Sequence, residues 1–197
     1  MIIKRITDSY GEVTALCREG EYLWIGYLSS GISKLRKVSN FDPTLIYYDL
    51  TLPTSYNVTK INKMITTSTD EYIYLAIDSI NYIGMRYNKT NPLSSYMAYT
   101  KPIAVTENSI DVVILLNYIY FLAPGIPTEK AKLLKYYYAY TTIDSSVDIE
   151  KDGDEIHNAK AITIDENNNI WVITYTNPVK LIKITNELVV SLIKYLG

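Results

Sequence analysis

Four short apolar segments recur along this chain at nearly constant spacing, and that recurrence limits its possible folds more than any single residue does. They are Tyr22-Leu23-Trp24-Ile25-Gly26, Tyr72-Ile73-Tyr74-Leu75-Ala76, Tyr118-Ile119-Tyr120-Phe121-Leu122 and Asn169-Ile170-Trp171-Val172-Ile173. With Leu23, Ile73, Ile119 and Ile170 taken as equivalent, the intervals are 50, 46 and 51 residues. A period of this length marks an array of supersecondary units, each of which buries its apolar face only against a neighbour. A second echo follows at a similar offset in Lys34-Leu35-Arg36-Lys37, Lys132-Leu133-Leu134-Lys135 and Lys180-Leu181-Ile182-Lys183, with Tyr82-Ile83-Gly84-Met85-Arg86 as a weaker counterpart.

Each unit reads as four strands. A short apolar strand precedes every anchor segment, at Val13 to Leu16, Lys63 to Thr66, Asp111 to Leu115 and Ala159 to Ile164. Polar turns such as Arg18-Glu19-Gly20-Glu21 and Asp165-Glu166-Asn167-Asn168-Asn169 join the two, with the composition of hairpin turns. A last strand is expected at Leu45 to Leu50, Ser95 to Thr100, Tyr137 to Ile143 and Leu188 to Tyr195. The strands are rich in Ile, Val, Tyr, Thr and Trp, which suit a pleated, buried surface. The anchor strands are almost continuously apolar, so both of their faces must be covered. The fold class is therefore all-β: a small β-propeller of about four four-stranded blades, in which each blade packs between others. An irregular β-sandwich is the alternative, although it more often leaves one strand face polar. The chain forms a single domain with blades at approximately 13–50, 61–100, 110–143 and 159–195. Residues 1–7 are left over as a closing strand on the last blade, or as an edge strand that pairs with another copy and makes an oligomer.

Two stretches carry a resemblance to known propellers. Val13-Thr14-Ala15-Leu16-Cys17-Arg18-Glu19-Gly20-Glu21-Tyr22-Leu23-Trp24-Ile25-Gly26 resembles the repeat of two-component-regulator propellers. Ala161-Ile162-Thr163-Ile164-Asp165-Glu166-Asn167-Asn168-Asn169-Ile170-Trp171-Val172 is similar to blades of the NHL and streptogramin-lyase-like propellers. The resemblance implies blade architecture and not a chemistry, with Trp24 and Trp171 as blade-packing aromatics. It also implies that the loops between second and third strands, and the linkers between blades, share one binding face. Tyr27, Asp78, Tyr175, Asn177 and His157 are the candidate binding residues on that face.

Composition removes much familiar chemistry. With 19 basic and 21 acidic residues the net charge is -2, so no overall positive field gathers phosphates, and nucleic acid is not an expected partner. One cysteine, Cys17, and one histidine, His157, exclude an internal disulfide, cysteine-based zinc sites and any arrangement needing two imidazoles. No Gly-rich phosphate loop or nucleophile elbow is present. Val112 to Gly125 is among the longest uncharged apolar runs and falls well short of the roughly 20 residues that span a bilayer. Lys4 and Arg5 interrupt the opening apolar stretch, unlike a signal-peptide core.

The one compositionally distinct loop is acidic. Asp144, Asp148, Glu150, Asp152, Asp154 and Glu155 fall close together, opposed by Lys151. Asp148, Glu150 and Asp152 before Gly153, with Asp154 behind, resemble the first half of a calcium loop and are the candidate metal ligands. Counted from Asp148, however, the twelfth position is Ala159, where a bidentate Glu is required. A solvated acidic loop is the alternative. The streptogramin-lyase resemblance suggests an enzyme in which His157 acts as base, yet that family relies on more than one histidine and a metal.

The expected function is a non-enzymatic interaction or structural module that presents loops and tyrosine-rich edges to a protein or glycan partner. The chain has 20 tyrosines, and Tyr offers large contact area at small entropic cost. Abundant Ile, Lys, Asn and Tyr indicate an A+T-rich coding style that suits a virus or phage particle component, such as a tail or capsid decoration. A divalent-metal-dependent lyase or lactonase-type propeller enzyme is the alternative.

Overall fold

A computed structural model describes residues 11–42, 44–67, 69, 71–175 and 177–196. The expected closing strand at 1–7 lies outside the described residues. The first blade consists of β1 (Glu12–Glu19), β2 (Tyr22–Ser29), β3 (Ile32–Ser39) and β4 (Ile46–Thr51). A single 3-10 turn, Thr54–Tyr56, leads to the second: β5 (Lys60–Ile65), β6 (Tyr72–Asp78), β7 (Tyr82–Asn88) and β8 (Tyr96–Thr100). The third holds β9 (Asp111–Leu115), β10 (Tyr118–Ala123), β11 (Lys132–Tyr137) and β12 (Ser145–Asp148). A small hairpin, β13 (Glu150–Lys151) and β14 (Asp154–Glu155), precedes β15 (Ala159–Ile164), β16 (Ile170–Thr174), β17 (Val179–Ile184) and β18 (Val190–Leu196) of the fourth blade. Each blade is an antiparallel meander of consecutive strands, and no described helix is long and apolar enough to cross a membrane.

The apolar repeat segments are the second strands, and packing explains their composition. Along β6, Ile73, Tyr74, Leu75, Ala76 and Ile77 are all essentially inaccessible. Successive side chains of a strand point to opposite sheet faces, so Ile73 and Leu75 pack with Trp24, Leu35 and Ile61 between the first two blades. Tyr74 and Ala76 pack with Ile119, Phe121 and Leu134 of the third blade. Tyr120 and Leu122 in turn join Ile170, Val172 and Ile182 of the fourth. Every inner sheet is thus buried on both sides. The first strands lie against one another in order, β1 on β5, β5 on β9 and β9 on β15, which places them innermost. Bulges at Val13/Ala15, Ile61/Lys63 and Ala159/Ala161 recur near the start of three of these strands and increase the local twist there. Among the described residues no comparable contact joins the fourth blade to the first.

One expected strand is displaced. Tyr137 to Ile143 does not form the outer strand of the third blade; Ser145–Asp148 does, paired with Lys132 to Lys135. The Tyr138 N–H donates to Asn117 O and the Tyr140 N–H to Tyr137 O, so the chain turns where aromatic composition suggests a strand. Tyrosine at 138 and 140 reflects ring packing around Tyr137, at centroid distances of 4.9 and 5.2 Å, and not sheet pairing.

Candidate functional site

Strand direction gathers a set of loops at one end of the blades. In an antiparallel meander the second strand ends where the third begins, and the fourth ends where the next blade's first begins. Loops 30–31, 79–81, 124–131 and 175–178, with linkers 52–59, 101–110 and 149–158, therefore share that end. Hydrogen bonds tie them together. Ser79 Oγ donates to Tyr56 O at 2.6 Å, the Ser79 N–H to Asn108 Oδ1, and the Lys101 N–H to Asn81 O. Thr106 Oγ1 donates to Glu129 Oε2, and the Tyr175 N–H points to Asn158 O. The face is a braced surface, since its backbone groups find partners across blades.

The binding candidates behave differently from one another. Tyr27 is 3% exposed and turns into its blade face. Its hydroxyl donates to Asp49 Oδ1 at 2.5 Å and accepts from Arg36 at 3.2 Å, while Arg36 pairs with Asp49. Burial, followed by the bond to Asp49, pushes its hydroxyl pKa up to about 12. Tyr27 is therefore built into the blade and is not presented to a partner. Asp78 sits mid-face, accepting Asn62 Nδ2–H at 2.5 Å, while Asn62 also donates to Ser109 O of the next linker. Tyr175 is 79% exposed, with Lys160 Nζ 5.6 Å from its ring centre, and Asn177 is exposed beside it, joined to Pro178 by a cis peptide bond. His157 Nδ1 lies 2.8 Å from Ile126 O and 3.0 Å from Glu129 O, so the ring staples the β10–β11 loop. Its Nε2 is 3.5 Å from Glu155. Tyr175, Asn177 and His157 thus belong to the loops and linker around the fourth blade, Tyr27 to the first blade and Asp78 to the second.

The four proposed metal ligands do not converge. Asp148 pairs with Lys132 at 2.6 Å, Glu150 with Lys130 at 2.5 Å, and Asp154 with Lys180 and the Tyr195 hydroxyl. Asp152 stands 86% exposed beside Lys151 at a left-handed turn position. Among the described residues no group of three or more His, Cys, Asp or Glu side chains forms a set that could hold a metal. The hairpin β13–β14 splits the acidic run, and lysines pair with its carboxylates: Lys132 with Asp148, Lys180 with Asp154, and Lys130 with both Glu150 and Glu155. Calcium needs six to eight oxygens about one point.

Sequence reasoning missed the residues that shape the face. Between the β6–β7 loop of the second blade and the linker that follows that blade lies a hollow of about 440 Å³ bordered by Ile80, Tyr82, Lys101 and Ile103. Ile80 is 78% exposed and Ile103 fully so. Lys101 Nζ donates to Asn108 Oδ1 at 2.6 Å, and burial lowers its pKa against the opposing pull of Asp78 and Glu107. These positions fall in turns and linkers, where no strand periodicity marks them; the usable signal was an isoleucine amid polar turn residues. At the opposite end, a hollow of about 570 Å³ is lined by Tyr72, Tyr74, Tyr138 and Glu71.

Neither a protein-family model nor a curated protein sequence matches the chain. Solved structures do match in fold. The likeness to apo AztD from Citrobacter koseri has a TM-score of 0.61 at 12% identity, over 94% of this chain and 47% of that one. The Cps50 (Swd1) β-propeller domain of Myceliophteria thermophila gives 0.62 at 13% identity, over 93% and 56%. A chain of the nidogen–laminin complex gives 0.62 at 7% identity, over 94% and 64%. The fold is that of a β-propeller. The chain spans between about half and two thirds of the length of these structures, and at such identity the likeness shows architecture alone. It supports propeller repeats without singling out the two-component-regulator or streptogramin-lyase-like families.

Proposed function

We propose that this protein is a non-enzymatic β-propeller interaction module whose loop face binds another protein. The observation that carries the reading is the pair of exposed isoleucines, Ile80 and Ile103, held over a hollow on a hydrogen-bonded base. Large apolar side chains fixed on a rigid polar rim are the anchors protein interfaces use. The catalytic alternative finds less support, because His157 is occupied by two backbone carbonyls and the acidic side chains are distributed among lysines. A glycan is a second class of ligand for the same face, and the exposed Tyr175 suits a sugar ring. A place on a virus or phage particle, as a tail or capsid decoration, belongs to this reading and rests on composition.

The test compares an Ile80→Asp/Ile103→Asp variant with wild type and with Tyr140→Asp, an exposed change outside the loop face. A protein captured from the native host by wild type and by Tyr140→Asp, but not by the double variant, supports the loop face. Equal capture by all three refutes it, and binding only on a glycan array shifts the reading to sugar.

A further inference from the structure

Each blade repeats one pairing across its second and third strands: Trp24 opposite Lys37, Tyr74 opposite Arg86, Tyr120 opposite Lys135 and Trp171 opposite Lys183. In each blade the cation lies over a ring, 5.0 Å from Trp24, 4.2 Å from Tyr72, 5.9 Å from Tyr120 and 5.7 Å from Trp171. In the first three blades the following blade seals the ring of the pair, and Trp24, Tyr74 and Tyr120 are at most 1% exposed. The turn after the following blade's third strand also reaches back. Lys89 Nζ lies 3.3 Å from Glu19, the acceptor of the Trp24 indole N–H. Arg86 donates to Tyr138 O at 2.7 Å, and Lys135 Nζ and the Tyr120 hydroxyl both point to Asn186 O at 3.5 Å.

The fourth pair is built in the same way and lacks the cover. The Trp171 indole N–H has its acceptor in Asp165 at 2.8 Å. Around it on the same face, Ile173 and Leu192 are 37% and 42% exposed, and Leu181 is half-buried. A face used three times to receive a blade is here without one among the described residues.

We propose that this face receives the first blade of a second copy of the chain, and that two copies joined head to tail close one eight-bladed ring. The first blade is the one blade whose receiving side no other described blade occupies, and Leu16 and Val13 there are 56% and 48% exposed. Its turn after β3 is the counterpart of the turns that reach back elsewhere. The Asn40 N–H donates to Glu21 O as Lys89 donates to Glu71 O and Tyr138 to Asn117 O. Asn40 is exposed, so its carbonyl is positioned to accept from the other copy's Lys183. The chain covers 47%, 56% and 64% of the three matched chains, so each of them extends beyond an arc of this length. A head-to-tail contact repeated twice closes the assembly and leaves no free blade face.

Mass in solution tests this directly. Light scattering at high micromolar concentration is expected to give twice the 22.5 kDa of the chain. A Lys183→Glu/Leu192→Asp variant, altered only on the uncovered face, is expected to fall to the single-chain mass with an unchanged circular dichroism spectrum. If that variant misfolds, mixing Cys17→Ser/Asn40→Cys and Cys17→Ser/Lys183→Cys proteins with a flexible bismaleimide, which spans a lysine-length gap that a disulfide cannot, gives the second readout, a crosslinked pair that neither forms alone. A wild-type monomer, a mass above two copies, or a dimer without that crosslink overturns the proposal.

Discussion

At the scale of single residues, blade packing leaves no spare volume where sheets approach most closely. Gly84 on β7 faces the third blade, and a Cβ there would lie 2.2 Å from the Phe121 ring and 2.8 Å from Leu75 O. The ring can shift but the carbonyl cannot, so overpacking of this kind costs about 1–3 kcal/mol. Gly84→Ala is therefore expected to lower the urea midpoint by an amount in that range. Combined with Phe121→Leu, the loss should be less than the sum of the two single losses, since the residues are in contact. Strict additivity would show that they do not share the strain. Sequence reading took Gly84 only as part of a weak repeat match, because closeness between sheets leaves no trace in the pattern of one strand.

At the scale of elements, the turns that enter the second strands of the first and fourth blades carry the same indole-to-carboxylate bond. The Trp171 indole donates to Asp165, and Asn167 and Asn169 add backbone and side-chain donors to the same carboxylate. The indole bond, joined by these donors, holds the Asp165 pKa down to about 2 from an ordinary 3.8, against desolvation, which is second only to the indole bond in size. A carboxyl depressed in the folded state stabilises fully above its unfolded value, and that contribution fades as pH falls from about 4 towards 2. Asp165→Asn should remove part of the acid sensitivity in that window, and a carboxyl titration followed by NMR should find its midpoint near 2. A midpoint near 3.8 would count against the turn geometry. The polar turn, the apolar second strand and the basic third strand were all legible in the sequence, because each is local and recurs, even though the third blade's turn shrinks to Leu116-Asn117 and the second blade's third strand matches weakly. The outer strand of the third blade was not: the run from Tyr136 to Tyr140 has strand-like composition, but tertiary contacts end β11 at Tyr137.

At the scale of the whole molecule, single polar groups stitch blades together. Asp111 on the innermost β9 is 5% exposed; it accepts the Ile162 N–H of the fourth blade at 3.0 Å and lies 4.0 Å from Lys63 of the second. Removing the carboxylate leaves a buried N–H without its partner, which costs about 1–3 kcal/mol. Asp111→Ala is expected to destabilise by that amount and to speed amide exchange at Ile162. Asp111→Asn, which keeps an acceptor, should lose less, and equal loss in both variants would place the effect in charge.

The sequence alone determined the all-β class, the near-50-residue unit and the four-strand plan of each blade, because periodicity and local turn chemistry act within a unit. Tertiary structure alone decided which of those residues are available for function. Tyr27 was drawn inward by Arg36 and Asp49, His157 was fixed by two carbonyls, and the acidic run was divided among lysines. Ile80 and Ile103 were left outside. It also separated two tryptophans that the repeat makes equivalent: Trp24 is sealed by the blade that follows, whereas Trp171 has no described blade after it. Burial depends on what lies across the interface, and a repeat does not record where its own array stops being covered.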